Sequence, residues 1–225
     1  MKYTSPYEAP TLTVDAVIFQ LLDGTLSVAL TKRLHEPFKG EWALPGGYNA
    51  KGETTREALE RIVQEKAGIA LSKDLSYVEQ LYTFDTIARD PRGHAVSVTY
   101  MGCGRDVTPH KSMSHVVFHP LTDLPKLAYD HGEIIRYAHE RLQAKLAYTN
   151  AIYGFLPPKF TLSELQSAYE AILGRSLDKR NFRKKFLSLN LIHETDEMKR
   201  EGAHRPAKLY KFNSTKLEAL SRSFD

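Results

Sequence analysis

The chain has 225 residues, of which 42% are hydrophobic and 26% charged, with a net charge of +4 and one cysteine, Cys103. This composition lies outside the disordered regime and supplies a sizeable core, while a single thiol excludes an intramolecular disulfide and a cysteine-based zinc cluster. No apolar run approaches the roughly 18 residues of a membrane span, and the first residues lack the apolar stretch of a signal peptide, so a cytoplasmic protein without membrane contact is expected.

The charge is uneven. Residues 1–150 carry 17 Lys and Arg against 18 Asp and Glu, and residues 151–225 carry 14 against 9. A basic module on a near-neutral body is one reading, with nucleic acid as its partner; a solvated basic face is the other.

The first element is Leu12–Phe19, β-branched and apolar, a buried strand. Asp23-Gly24-Thr25 marks a turn, and Leu26–Thr31 forms the second arm of a hairpin. A loop marked by Pro37, Gly46 and Gly47 precedes a helix from Thr54 to Ala67, stopped by Gly68. Tyr77–Thr86, Ala95–Cys103 and His115–Phe118 read as further strands. From Asp130 to about Tyr148, Ile134, Ile135, Ala138, Leu142 and Leu146 recur at helical spacing. This order of strands and helices predicts an α/β sandwich. Pro157-Pro158 then breaks the chain, which puts a domain boundary between about 148 and 160 and divides the protein into residues 1–150 and 151–225.

The tail is predicted to be folded. Thr161 caps a helix with Leu165, Ala168, Tyr169 and Ile172 on one face, and Gly174 ends it. Asp178 caps a second helix running to about Leu189, with Phe182, Phe186 and Leu189 inward. Leu191–Thr195 and Lys208–Phe212 are short strands. Helix, turn, basic helix and hairpin make the shape of a winged helix-turn-helix.

The richest stretch runs from Gly47 through Glu53, Arg61, Val63 and Glu65 to Gly68 and Ile69, preceded by Trp42-Ala43-Leu44-Pro45-Gly46. It resembles a Nudix box at each of these spaced positions. Two departures stand out: the family's Glu after the arginine is Ile62, and its second Glu of the later pair is Lys66. Positions 62, 65 and 66 share one helix face. In the family that face presents carboxylates to divalent cations, which require oxygen ligands and negative charge. Ile62 offers no oxygen, and Lys66 places an ammonium where a cation would sit. Like charges about 4 Å apart cost several kcal/mol at an effective dielectric near ~20. Metal-assisted pyrophosphate hydrolysis is therefore expected to be lost or impaired, and no catalytic residue, metal ligand or required cofactor is assigned.

The resemblance implies a nucleoside-diphosphate ligand. Arg89-Asp90-Pro91-Arg92-Gly93 is similar to a loop of ADP-ribose-handling Nudix proteins. Arg89 and Arg92 on this turn, and Arg33 at a strand end, offer forked donors to phosphate or ribose oxygens. Gly46, Gly47, Glu53, Arg61 and Glu65 complete the expected ligand site, although Glu53 and Arg61 also suit a purely structural lock between loop and helix. A sugar nucleotide or phosphoribosyl pyrophosphate remains an alternative ligand. His94, His110, His115 and His119 match no metal-ligand spacing.

In the second tail helix, Lys179, Arg180, Asn181, Arg183, Lys184 and Lys185 are the expected DNA-contacting residues, with Arg180, Arg183 and Lys184 on an exposed side. Arg180 or Asn181 is placed to read bases and the lysines to hold phosphates; His204 and Arg205 sit near the wing tip. A degenerate Nudix domain joined to a winged helix resembles the NrtR family of Nudix-related regulators of NAD metabolism. Asp130-His131, Asn181-Phe182 and Arg205–Tyr210 share in that resemblance. It implies a homodimer on a palindromic double-stranded DNA operator, with ADP-ribose as effector and repression as the usual outcome. The alternative is an active ADP-ribose pyrophosphatase with an accessory basic tail; a ligand-binding adaptor without a DNA role is a third reading.

Overall fold

The computed structural model describes residues 9–200 and 206–220. In chain order they form β1 (Thr11–Leu22), β2 (Thr25–Lys32), β3 (Trp42–Ala43), β4 (Gly46–Tyr48), α1 (Thr55–Ala67), α2 (Leu71–Asp74), β5 (Tyr77–Phe84), β6 (Ala95–Cys103), β7 (Val116–Pro120) and α3 (His131–Tyr148). A 3-10 turn (Ala151–Phe155) leads to α4 (Leu162–Leu173), α5 (Lys179–Ser188), β8 (Ile192–Lys199) and β9 (Ala207–Phe212).

Seven strands make one mixed sheet. β1 lies at its centre, antiparallel to β2 and parallel to β6, and β6 carries the edge strand β5. Alternation along β1 feeds two cores. Val14, Ala16 and Ile18 pack with Leu59, Ile62 and Val63 of α1. Val17 and Phe19 turn to the other face and pack with Ile134, Ile135, Ala138, Leu142 and Leu146 of α3. The result is an α/β/α sandwich with a mixed sheet, followed by a winged helix.

The helix limits follow from their caps. Thr54 and Glu57 form a capping box at α1, and Gly68 closes the helix in the left-handed region at φ 63°. Thr161 with Glu164 repeats the device at α4, where Gly174 (φ 67°) ends the helix. The Asp178 carboxylate accepts from Asn181 N at the start of α5. β8 extends to Lys199, beyond its expected end at Thr195, because it pairs with β9 past an irregularity between Glu194 and Met198.

The segment expected to separate two domains is buried. Ile152, Tyr153, Phe155, Leu156 and Phe160 are all interior. The Tyr153 hydroxyl donates to Ser76 O (3.0 Å), and the Ser76 hydroxyl donates to Gly154 O (3.2 Å). A Cβ on Gly154 would lie 2.5 Å from Cys103 Sγ, so only glycine fits. The apolar cluster beneath α3 continues without a break through α4 and α5 to Phe182, Phe186 and Tyr210. The Ile172 carbonyl, near the end of α4, accepts from His139 Nε2 (2.7 Å) and Gln143 Nε2 (3.0 Å) of α3.

Candidate functional site

A cleft of about 630 Å³ opens between the α1 end of the sheet, the loop after β2 and the N-terminus of α3. That volume suits a nucleotide-sized ligand. Arg33, Gly46, Gly47, Arg61, Arg89 and Arg92 line it. Glu53 and Glu65, the other two expected ligand residues, do not.

Gly46 is dictated by its neighbour. It sits opposite Asp15 in the β1–β4 register, and a Cβ there would come within 1.9 Å of Asp15 Oδ1. Glu53 and Arg61 form the loop-to-helix lock. Arg61 donates to both Glu53 oxygens and to Tyr48 O (3.0 Å), and Glu53 also accepts from Ala50 N. Arg61 and the Ala50 amide hold the Glu53 pKa down to about 2. Glu65 is exposed, with Arg61 Nη1 3.5 Å away.

The face that would carry metal ligands is built differently. Ile62 is fully inside the α1 core. Lys66 is exposed as a residue, but its ammonium end reaches into the cleft, donates to Gly46 O, and lies 3.5 Å from where a Cβ on Gly47 would be. Loss of water there pulls its pKa below the ordinary lysine value, although Asp15 works in the other direction. One carboxylate, Glu65, remains among the three positions, so the residues present do not fit a divalent-cation site. Among the described residues, no group of three or more His, Cys, Asp and Glu is arranged to hold a metal ion.

The expected free donors Arg89 and Arg92 are committed to carboxylates. Arg89 is buried and forked onto Asp130 Oδ1 and Oδ2 (2.8 and 2.9 Å), with Asp15 Oδ2 at 3.6 Å. Burial opposes its charge, and the Asp130 and Asp15 carboxylates outweigh burial, raising its pKa. Arg92 is clamped on Asp90 (2.9 and 2.6 Å). Arg33 donates to Pro37 O (2.7 Å) and His35 O (3.3 Å), with its guanidinium 4.9 Å from the centre of the Tyr129 ring. Tyr129 adopts φ 54°, which is costly for a bulky side chain and is found where surroundings hold a residue for a purpose.

Sequence reasoning missed Asp15, Tyr129 and the role of His131. An acid within the apolar run Leu12–Phe19 was the available signal for Asp15, and the Asp130-His131 pair of the family resemblance was the signal for His131. His131 is buried; its Nδ1 accepts from Leu44 N (2.9 Å), and its Nε2 lies 3.7 Å from Asp15 Oδ1. Accepting at Nδ1 places the proton of the neutral ring on Nε2. Burial lowers the His131 pKa below 6.5, Asp15 opposing. A depressed histidine pKa means that the unfolded chain takes up the proton first, so stability falls as pH drops below about 6.5. His119, lowered mainly by burial, acts with the same sign. Thermal unfolding measured from pH 8 to pH 5 should show this loss, and His131→Gln should flatten it. An unchanged slope in that variant would remove His131 as the cause.

On α5, Lys179, Arg180, Asn181 and Lys184 are exposed. Arg183 is not on the exposed side expected for it. It is half-buried and donates to Ser163 Oγ (3.1 Å) at the start of α4, because its helix position faces that turn. Lys185 is half-buried beside a smaller cavity between α3, α4 and α5. His204 and Arg205 lie outside the described residues. Among the described residues, no helix is long and apolar enough to cross a membrane.

Comparison with known proteins follows the same division. The NUDIX domain family matches residues 11–138, and the NrtR DNA-binding winged helix domain matches residues 152–212. The ADPR responsive transcriptional repressor NtrR of Acinetobacter baylyi is 36% identical over 215 residues, covering 92% of this chain and 84% of that protein. The crystal structure of Shewanella oneidensis NrtR complexed with a 27mer DNA superposes with TM-score 0.82 at 34% identity, covering 95% of this chain and 99% of the other. The NUDIX domain of the same protein complexed with ADP ribose aligns with TM-score 0.54 at 36% identity, covering 62% of this chain and 94% of that one.

Proposed function

The chain belongs to the NrtR family, and from that premise we propose that it is an ADP-ribose-responsive transcriptional repressor of NAD metabolism genes. Residues 1–150 sense ADP-ribose or a related nucleotide, and residues 151–225 bind DNA. It acts in the cytoplasm as a homodimer on a palindromic operator, one winged helix per half-site. No cofactor is required. With Ile62 and Lys66 in place of carboxylates, the Nudix domain binds its ligand without efficient hydrolysis.

The observation that carries this reading is the placement of α3. Its first residue, His131, lines the cleft beside Asp15, and the residue before it, Asp130, holds the cleft-lining Arg89. Further along, His139 and Gln143 hold the end of α4, on which α5 packs. A ligand that rearranges the charges around Asp15 and Arg89 acts on the same helix that positions the DNA-reading surface. It shifts the DNA-binding equilibrium only as far as it prefers one of the two arrangements.

A gel shift on the protein's own upstream region tests the proposal. Micromolar ADP-ribose should change operator affinity, and incubation with ADP-ribose and Mg²⁺ should release little AMP. Operator binding insensitive to ADP-ribose at every concentration would sink the sensor role, and robust turnover would restore the hydrolase reading.

A further inference from the structure

The cations of the cleft fall into two groups. Arg61, Arg89 and Arg92 are each neutralised by a carboxylate: Glu53, Asp130 and Asp90. Lys32, Arg33 and Lys66 have no described carboxylate within 4 Å. The Lys32 ammonium lies 5.9 Å over the face of Trp42. Among the described residues, Arg33 and Lys66 donate hydrogen bonds only to backbone carbonyls, those of Pro37 and His35 for one and of Gly46 for the other, and the Arg33 guanidinium also lies 4.9 Å from the centre of the Tyr129 ring.

Arg33 and Lys66 also act on each other. Loss of water is the main influence that depresses the Lys66 pKa, and the positive charge of Arg33 adds to it, while Asp15 and Glu65 oppose. Two cations that share a partly desolvated cleft and are bound to carbonyls repel, and an anion placed between them relieves that repulsion. Both have donors to spare. A guanidinium carries five N–H groups, of which described partners take two; an ammonium carries three, of which one is taken. Carbonyl partners compete with a phosphate oxygen far less than a carboxylate would, because charge-assisted bonds are the stronger.

We propose that Arg33 and Lys66 together form the seat for the diphosphate of the bound nucleotide, with the Lys66 ammonium serving as a built-in substitute for a divalent cation. This rests on the reading of the cleft as an ADP-ribose site, and it moves the phosphate contact away from Arg89 and Arg92. Lys66 comes from the helix face that would otherwise supply metal ligands, so the charge is delivered from the same side, fixed to the chain. Ile62 completes the exchange: an aliphatic side chain packed beneath the loop gives a cation nothing to bind.

The test is calorimetric titration of the full chain with ADP-ribose in EDTA and in excess Mg²⁺. Wild type should bind with the same affinity in both buffers. Lys66→Gln and Arg33→Gln should each weaken binding at least about tenfold, the loss of one charged contact. Lys66→Glu should lose binding in EDTA and recover part of it in Mg²⁺. Thermal unfolding of each variant establishes that it is folded. Wild-type binding that needs Mg²⁺, or folded Lys66→Gln and Arg33→Gln proteins with wild-type affinity, would overturn the proposal while leaving the ADP-ribose site standing. Absence of ADP-ribose binding to wild type in either buffer would overturn the underlying reading as well.

Discussion

Replacing Arg89 with leucine is expected to lower the free energy of unfolding by about 3–5 kcal/mol, measured by urea denaturation near neutral pH. The Arg89 side chain is 5% exposed and those of Asp15 and Asp130 are 8% and 11% exposed. Among the described residues, the guanidinium is the one cation within 4 Å of both carboxylates. Leucine fills much of the space but leaves two acids with little water and no counterion. Asp15 keeps the Ser97 hydroxyl (2.6 Å) and the neighbouring His131 ring, neither of which supplies a full positive charge to the neutral state. Asp130 loses its forked partner outright. Arg89→Lys should fall between wild type and Arg89→Leu, because an ammonium keeps the charge but not the planar fork. A loss below ~1 kcal/mol in Arg89→Leu would mean that the carboxylates find water that the closed structure does not show.

The double variant Arg180→Ala, Lys184→Ala should lower operator affinity roughly a hundredfold and reduce the log–log salt slope by about two. Both side chains are exposed on α5 and make no described ion pair, so melting temperature and ADP-ribose affinity should hold. Arg183→Ala gives the contrast. It removes the bond to Ser163 Oγ and a half-buried stem, so its effect should appear in stability as well as in DNA affinity. Operator binding by the double variant at wild-type strength and salt slope would take α5 out of the DNA interface.

Local chemistry was legible from residue order. Thr54, Thr161 and Asp178 are caps because their side chains accept from amides three residues on, and Gly68 and Gly174 are stops because a left-handed residue is needed there. Ile62 and Lys66 were equally plain, since helical spacing alone puts them on one face with Glu65. What spacing does not carry is pairing at long range. Arg89 and Asp130 are 41 positions apart, and Ser97 and Asp15 are 82 apart, so the arginines of the Arg-Asp-Pro-Arg turn read as open donors when one of them is interior. Arg183 was misjudged for a related reason: its exposure depends on where the start of α4 lies against α5, which the periodicity of α5 does not state. Tyr129 had no signal, because its ring contacts with Arg33 and Phe38 reach back to the loop after β2, about 90 positions away, and only His131 is a chain neighbour.

The 18 residues of α3 have a mechanical consequence. At ~1.5 Å per residue the helix is about 27 Å long, so a tilt of about 5° about its cleft end sweeps the far end by roughly 2.4 Å. In the proposed dimer, two such sweeps in opposite directions add to about 5 Å, more than the ~3.4 Å rise of one base-pair step. A tilt of that size, set off by a rearrangement of the carboxylate beside Arg89, would thus put the two half-sites out of step by more than one base-pair rise. An operator whose spacer is changed by one base pair in the sense of that sweep should therefore favour the opposite ligand state from the native one, and a change in the other sense should weaken binding in both states.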